Sequence, residues 1–271
     1  LGKAMLYGQQ KQNSKTTGQQ ELFENKSEAF SVKHDDASHK LKVDDTIDSR
    51  LRCLSLEKKV IGFYLSGHPI KEYQDEISSM SIKSIASYFD KLYSTDIDDD
   101  FSEHGTVSGV ITSIRSQRMG KDRFINILTV DDSTHRLEII LFSDVYEKYR
   151  NLIKENEILF FSGVIAMDDY NGDLSMKATK VIDMDSARQQ YSKEIELFIL
   201  PEHINDNILA RIVNLLEPHK NGKCPLTIKC LSNQHIVPLE LDSEWLINPS
   251  STLINGLSDL LGKENIIVKY E

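Results

Sequence analysis

Four cations crowd one short stretch. Arg115, Arg118, Lys121 and Arg123 stand against a single acid, Asp122, giving a local charge of +3 in a chain whose formal net charge is -10. Side chains of this kind neutralise phosphates, and the affinity they give falls as salt rises. Phe124 follows the cluster directly, and Tyr170 sits in a Tyr-Asn-Gly-Asp turn signal further on. Aromatic faces at those two places could stack on unpaired bases. Opposing this, residues 105–185 hold ten Lys/Arg and thirteen Asp/Glu, and Asp168, Asp169 and Asp173 crowd around Tyr170. The chemistry expected is weak, salt-sensitive binding of a single strand at one local surface. An overall acidic chain does not have the footprint of a protein that coats DNA.

A second constellation is apolar. Leu22 and Phe23 form a small island between two polar stretches, residues 8–20 and 33–46, neither of which can bury enough apolar surface to order itself. Two such side chains either pin the tether onto the chain's own folded body or enter a pocket on a partner, where the amide of Gln19 can donate and accept at the rim. A polar tether on either side raises the effective concentration of such a peptide. Trp245, the single tryptophan, is a candidate interface anchor or an edge of a core. Other chemistry finds no nucleus here. The eight histidines show no zinc spacing, and the three cysteines, Cys53, Cys224 and Cys230, read as reduced thiols. Gly62 and Gly67 lack a phosphate-loop lysine, and Ser66 has no base at a readable spacing. No cofactor, metal or catalytic residue is expected in this segment. No apolar run is long enough to span a bilayer.

The elements that must position these groups follow from periodicity. Leu51, Leu54 and Ile61, with Val60 and Tyr64, predict an amphipathic helix that Gly67-His68-Pro69 stops, and a second helical piece covers Ile82 to Tyr93. Residues 105–183 read as five strands, roughly Thr106–Arg115, Arg123–Asp131, Arg136–Phe142, Ile158–Met167 and Leu174–Ile182. A helix near Asp144–Glu155, with Ser143 as N-cap, falls between the third and fourth. That is the chain order of an OB-fold, a small barrel that binds single strands on the face of its second and third strands. After Ser186-Ala187-Arg188 a βαββαβ order predicts a small α+β unit of ferredoxin-like type. The fold class is therefore multi-domain. A polar tether (1–47) carries the peptide (18–24), a helical connecting segment spans 48–100, an OB-fold domain 103–186, and an α+β domain 193–271.

Several stretches in order resemble one family. Gly18-Gln19-Gln20-Glu21-Leu22-Phe23, the run from Glu57 to Pro69 (EKKVIGFYLSGHP), the barrel at 106–183, and Trp245-Leu246-Ile247-Asn248-Pro249-Ser250 are together similar to the C-terminal part of the bacterial DNA polymerase III alpha subunit, enterobacterial type. The resemblance implies that Gln19, Leu22 and Phe23 bind the sliding clamp (the beta subunit). It implies that the barrel meets single-stranded template DNA, and that the terminal domain docks the clamp-loader tau subunit. Other holoenzyme subunits would be partners too, in the cytoplasm. The family's polymerase acids and PHP domain lie upstream, so nucleotidyl transfer is expected of a parent chain and not of this segment, which starts without an initiator methionine. The alternative is a stand-alone OB-fold nucleic-acid-binding protein with no role in the replisome.

Overall fold

In the computed structural model the described residues are 47–94, 101–119, 123–168, 172–201, 207–232 and 235–270. Helix α1 (Ile47–Ile61) opens them and is closed by Gly62, whose φ of 93° is in the left-handed region that glycine tolerates. Only Leu54 of its expected stripe is buried; Val60 and Ile61 are exposed. The apolar pattern made the helix but did not bury it. A 3-10 turn (Pro69–Tyr73), α2 (Gln74–Ser79) and α3 (Ile85–Ser94) follow. His68 caps the turn by accepting from the Ile70 amide through Nδ1 at 3.4 Å.

A five-stranded barrel comes next: β1 (Ser102–Met119), β2 (Arg123–Asp131), β3 (Arg136–Phe142), α4 (Ser143–Tyr149), β4 (Ile158–Met167) and β5 (Leu174–Ile182). The strands close in the order β1-β2-β3-β5-β4, with β3 and β5 parallel. β1 does double duty. Its first half pairs with β4 from Ser102 to Val110, its second with β2 from Val110 to Met119, and a bulge near Ile111–Ser113 lets it turn between them. Gly105 lies opposite Gly163 where the strands cross closely, and a Cβ at Gly105 would overlap the Tyr88 hydroxyl. Tyr88 and Ile85 belong to α3, which buries them in the barrel core beside Leu128, Val130 and Ile139. The helix is held there by its Ile85 amide donating to Asp132 Oδ2 at 2.7 Å. The helix between strands three and four is shorter than expected and begins at Ser143 itself. Ser143 is not its cap, because its hydroxyl donates to the Phe124 carbonyl at 2.6 Å.

A helix absent from the sequence expectation, α5 (Met184–Tyr191), joins the barrel to the last unit. Asp183 caps it by accepting from the Ser186 amide at 2.8 Å. Then come β6 (Ser192–Ile199), α6 (Ile208–Leu216), β7 (Lys220–Cys224), β8 (Leu226–Ser232), β9 (His235–Glu240), α7 (Ser251–Leu261) and β10 (Ile266–Tyr270). Ser250 and Gly262 sit at the two caps of α7. The sheet runs β10-β6-β8-β9, with β6 and β8 parallel neighbours. A ferredoxin-like sheet would place the next strand between those two, so that expectation is corrected. β8 bonds directly to β6 after the α6 crossover, and β9 hairpins back onto the outer edge.

A third cluster fuses these parts. Ile70, Ile77 and Met80 of the helical segment pack with Val110 and Phe160 of the barrel and Ala187 of α5. At its border the buried guanidinium of Arg188 makes a bidentate pair with Glu76, Nε–Oε1 2.6 Å and Nη2–Oε2 2.8 Å. Its Nη1 also reaches Asp185 at 3.0 Å and Ser251 Oγ at 2.6 Å, while the Tyr270 hydroxyl bonds to Glu76. Burial works to lower the Arg188 pKa, but Glu76, Tyr270 and Asp185 outweigh it and hold the charge firmly in place. One ion network thus joins α2, α5, α7 and β10.

All three cysteines are free. Cys224 and Cys230 sit on β7 and β8 and pack against the same core. Burial, then the charge of Glu194, pushes the Cys224 thiol up to about 11. At pH 8 a neutral alkylating reagent should therefore label exposed Cys53 and spare Cys224 until denaturant is added. Mass spectrometry of native protein with both sites labelled at similar rates would contradict this packing.

Candidate nucleic-acid interface

Strand alternation builds the face. Leu128 and Val130 of β2 point into the barrel core, so Ile125, Ile127, Thr129 and Asp131 lie on the outer side of the strand, where Ile125 and Ile127 are still buried by their neighbours. The register places Ser113, Arg115 and Gln117 of β1 on one side of that row. Arg136, Glu138, Ile140 and Phe142 of β3 lie on the other. Arg115 and Glu138 form an ion pair across β2, with 58% and 42% of their side chains exposed. Exposed pairs of this kind are worth about 0–1 kcal/mol, so a phosphate could take Arg115 from its partner cheaply. Ser113 Oγ donates to Thr129 Oγ1 at 2.9 Å.

The expected binding residues do not all converge on this face. Arg115 is on it. Arg118 and Phe124 are register partners on the opposite side of the β1–β2 ribbon, where Arg118 Cζ lies 6.0 Å from the Phe124 ring and the ring is 51% exposed. Lys121 and Tyr170 lie outside the described residues, and Arg123 ends the β2 ladder opposite Met119. Gln19, Leu22 and Phe23 also lie outside them.

Arg136, Thr129 and Ser113 were not singled out by the sequence, because a lone cation or hydroxyl on a strand carries no signal until the neighbouring strands are in register. Two recesses flank Arg136. One, about 270 Å³, gathers Glu138, Asp168 and Asp173 beside Phe89. The other, about 750 Å³, lies between the barrel and residues 62–71. At its floor Asp131 accepts from Arg136 Nε at 2.9 Å and from the Ser133 amide at 2.8 Å. His68 Nε2 lies 3.3 Å from Asp131 Oδ1, a close contact without a well-aligned hydrogen bond. Burial would raise the Asp131 pKa, but His68, Arg136 and Ser133 together hold it well below the usual carboxylate range.

Trp245 lies at the edge of the terminal core, with Lys220 Nζ 3.5 Å from its ring centroid. Exposed apolar surface in this unit lies elsewhere, at Leu209 and Val213 on α6 and at Ile236, Val237 and Leu239 on the edge strand β9. Among the described residues no group of three or more His, Cys, Asp or Glu could hold a metal ion, and no helix is long and apolar enough to cross a membrane.

Comparison with known proteins adds lineage to this geometry. The family described as "DNA polymerase III subunit alpha, C-terminal domain" matches residues 211–262, from α6 to the end of α7, and "OB-fold nucleic acid binding domain" matches residues 106–184. DNA polymerase III subunit alpha of Escherichia coli K12 is 31% identical over 218 residues, 79% of this chain and 18% of the relative. The Vibrio cholerae subunit is 30% identical over 214 residues, with the same two shares. The chain is related to the C-terminal region of DNA polymerase III subunit alpha. It spans under a fifth of the length of these alpha subunits. The alpha subunit of Pseudomonas aeruginosa matches at 26% identity over 234 residues, 86% of this chain and 19% of that one. Two solved structures align with a third of the chain. RecG bound to a three-way DNA junction has a TM-score of 0.28 at 16% identity, covering 32% of this chain and 12% of that one. The second single-stranded DNA binding protein of Mycobacterium smegmatis has a TM-score of 0.28 at 17% identity, covering 32% and 92%.

Proposed function

We propose that this chain is an accessory, non-polymerising part of a replicative DNA polymerase alpha subunit. The barrel contacts single-stranded template through the outer face of β1–β3. The peptide around Gln19, Leu22 and Phe23 takes the sliding clamp, and the terminal unit takes the clamp-loader tau subunit. The work is done in the cytoplasm among the other polymerase III subunits, and it is recruitment: modest contacts on one chain multiply into avidity. The observation that carries the reading is the outer face of β1–β3, where exposed Arg115 has only a surface pair to give up, in a chain similar to alpha subunits over 79% of its length and with a barrel that matches an OB-fold nucleic acid binding family. For tau, the exposed row on β9 and α6 is a better seat than Trp245, which is already engaged by Lys220 and the core.

Fluorescence anisotropy with a labelled single-stranded oligonucleotide at low salt tests the barrel. Reversing Arg115, Arg118 and Arg123 together to Glu should weaken binding by roughly tenfold or more. Because Arg115 alone of the first two faces outward, Arg115→Glu should account for more of the loss than Arg118→Glu. Unchanged affinity in the triple variant removes the nucleic-acid role from this face.

A further inference from the structure

The run from Glu57 to Pro69 was conspicuous in the sequence without a role, and the fold gives it a position beside the open face. Glu57 ties the loop down: its Oε2 accepts from the Leu65 amide at 3.1 Å and the Ser66 amide at 3.0 Å, and its Oε1 bonds to the Ser66 hydroxyl. A second tie is at Asn156, whose Oδ1 accepts from Lys58 Nζ at 2.7 Å and from the Tyr64 hydroxyl at 3.0 Å. At the far end His68 Nε2 lies 3.3 Å from Asp131 Oδ1, and its Nδ1 accepts from the Ile70 amide. A loop so fixed holds Phe63 and Leu65 outward, 57% and 69% exposed, although nothing in a free chain would favour that.

Charge divides the barrel face at Arg136. The recess on the loop side is lined by Lys58, Lys71 and Arg136 against Asp131, a net of +2. The recess on the β4–β5 side sets Glu138, Asp168 and Asp173 against Arg136, a net of -2. The floor on the loop side is hydroxylic, formed by Thr112, Ser113, Thr129 and Ser133. Cations for phosphate, a prefixed aromatic for stacking and hydroxyls for base edges are the three groups a single strand requires.

We propose that the recess between the 62–71 loop and the outer face of β1–β3 is a second seat for single-stranded nucleic acid, so that a strand crossing the barrel leaves past Phe63 and Lys71 and not past the β4–β5 loop. This rests on the reading of the barrel as a single-strand binder. The acidic recess would repel the backbone, whereas the basic one continues the row that Arg115 begins. Ordering has already been done by Glu57 and Asn156, so little entropy remains to be lost on binding.

The test compares two oligo-dT probes, roughly 6 and 15 nucleotides long, a span chosen from the usual site size of one OB-fold, on the full 271-residue chain. Native protein should bind the longer probe more tightly. Phe63→Ala with Lys71→Glu should remove roughly tenfold of affinity for the long probe and leave the short one unchanged. Arg115→Glu should weaken both. A long probe carrying 5-iodouracil should cross-link to residues 62–68. If native protein binds both probes and the Phe63/Lys71 variant matches it, the second seat is refuted while the barrel reading stands. That pattern is also the one expected if the loop docks a protein. Cross-links confined to the β4–β5 loop refute the seat as well. If native protein binds neither probe, both readings fall.

Discussion

Glu76→Ala should lower the midpoint of thermal unfolding by about 10 °C, the largest stability loss expected of any single change described above. Glu76 holds two edges of the Arg188 guanidinium and also receives the Tyr270 hydroxyl. The Arg188 side chain is only 6% exposed. Taking the carboxylate away leaves a cation in a site with little water, at a cost of about 3–5 kcal/mol. Asp185 softens the loss without replacing it, because it reaches only one nitrogen and is itself shared with Ser251. The converse change, Arg188→Met, should cost less. Glu76 is 22% exposed and Asp185 41%, so both can turn to water when their partner goes. The double change Glu76→Leu with Arg188→Met should recover much of the loss, since no buried charge is left behind. Calorimetry on the four proteins would decide it. A midpoint for Glu76→Ala within a degree or two of native would mean the network is decorative.

Leu22→Ala with Phe23→Ala should nearly abolish retention on immobilised sliding clamp, raising Kd by roughly 100-fold or more. Each side chain gains about 1.5–3 kcal/mol on full burial, and each 1.4 kcal/mol is a decade of affinity. Gln19→Ala should cost nearer tenfold, the scale of one or two rim hydrogen bonds. Binding to the oligonucleotide should be unaffected, since the peptide and the barrel act independently on their targets. Surface plasmon resonance reads the first effect and anisotropy the second. Unaltered clamp binding in the double variant would take the peptide out of the recruitment scheme.

Much of the barrel was legible because its apolar runs are short and are separated by turn signals such as Asp131-Asp132-Ser133. In Arg136–Phe142 buried and less buried residues also take turns. The ends of β1 were not legible: His104 and Gly105 carry no strand preference, and pairing to β4 imposes the conformation. α5 was missed because it is short and polar, although Asp183 three residues ahead of a bonded amide was a readable cap. The order of the last sheet could not be read at all, since a βαββαβ chain order is compatible with more than one arrangement. The loop-side recess was invisible for a different reason. Lys58 is far in the chain from Thr129 and Arg136, and the tie of Lys58 to Asn156 and the approach of His68 to Asp131 bring them together. The apolar stripe of α1 misled in the opposite sense, since Val60 and Ile61 predict burial and remain in water.

The Arg188 junction has a mechanical meaning. A flexible hinge between barrel and terminal sheet would let each wander, and a grip on one would say nothing about the heading of the other. With Glu76, Asp185 and Ser251 all bonded to the Arg188 guanidinium, and the Tyr270 hydroxyl bonded in turn to Glu76, the two are geared together. Whatever protein seizes the far sheet therefore also steers the direction in which the barrel offers its open side.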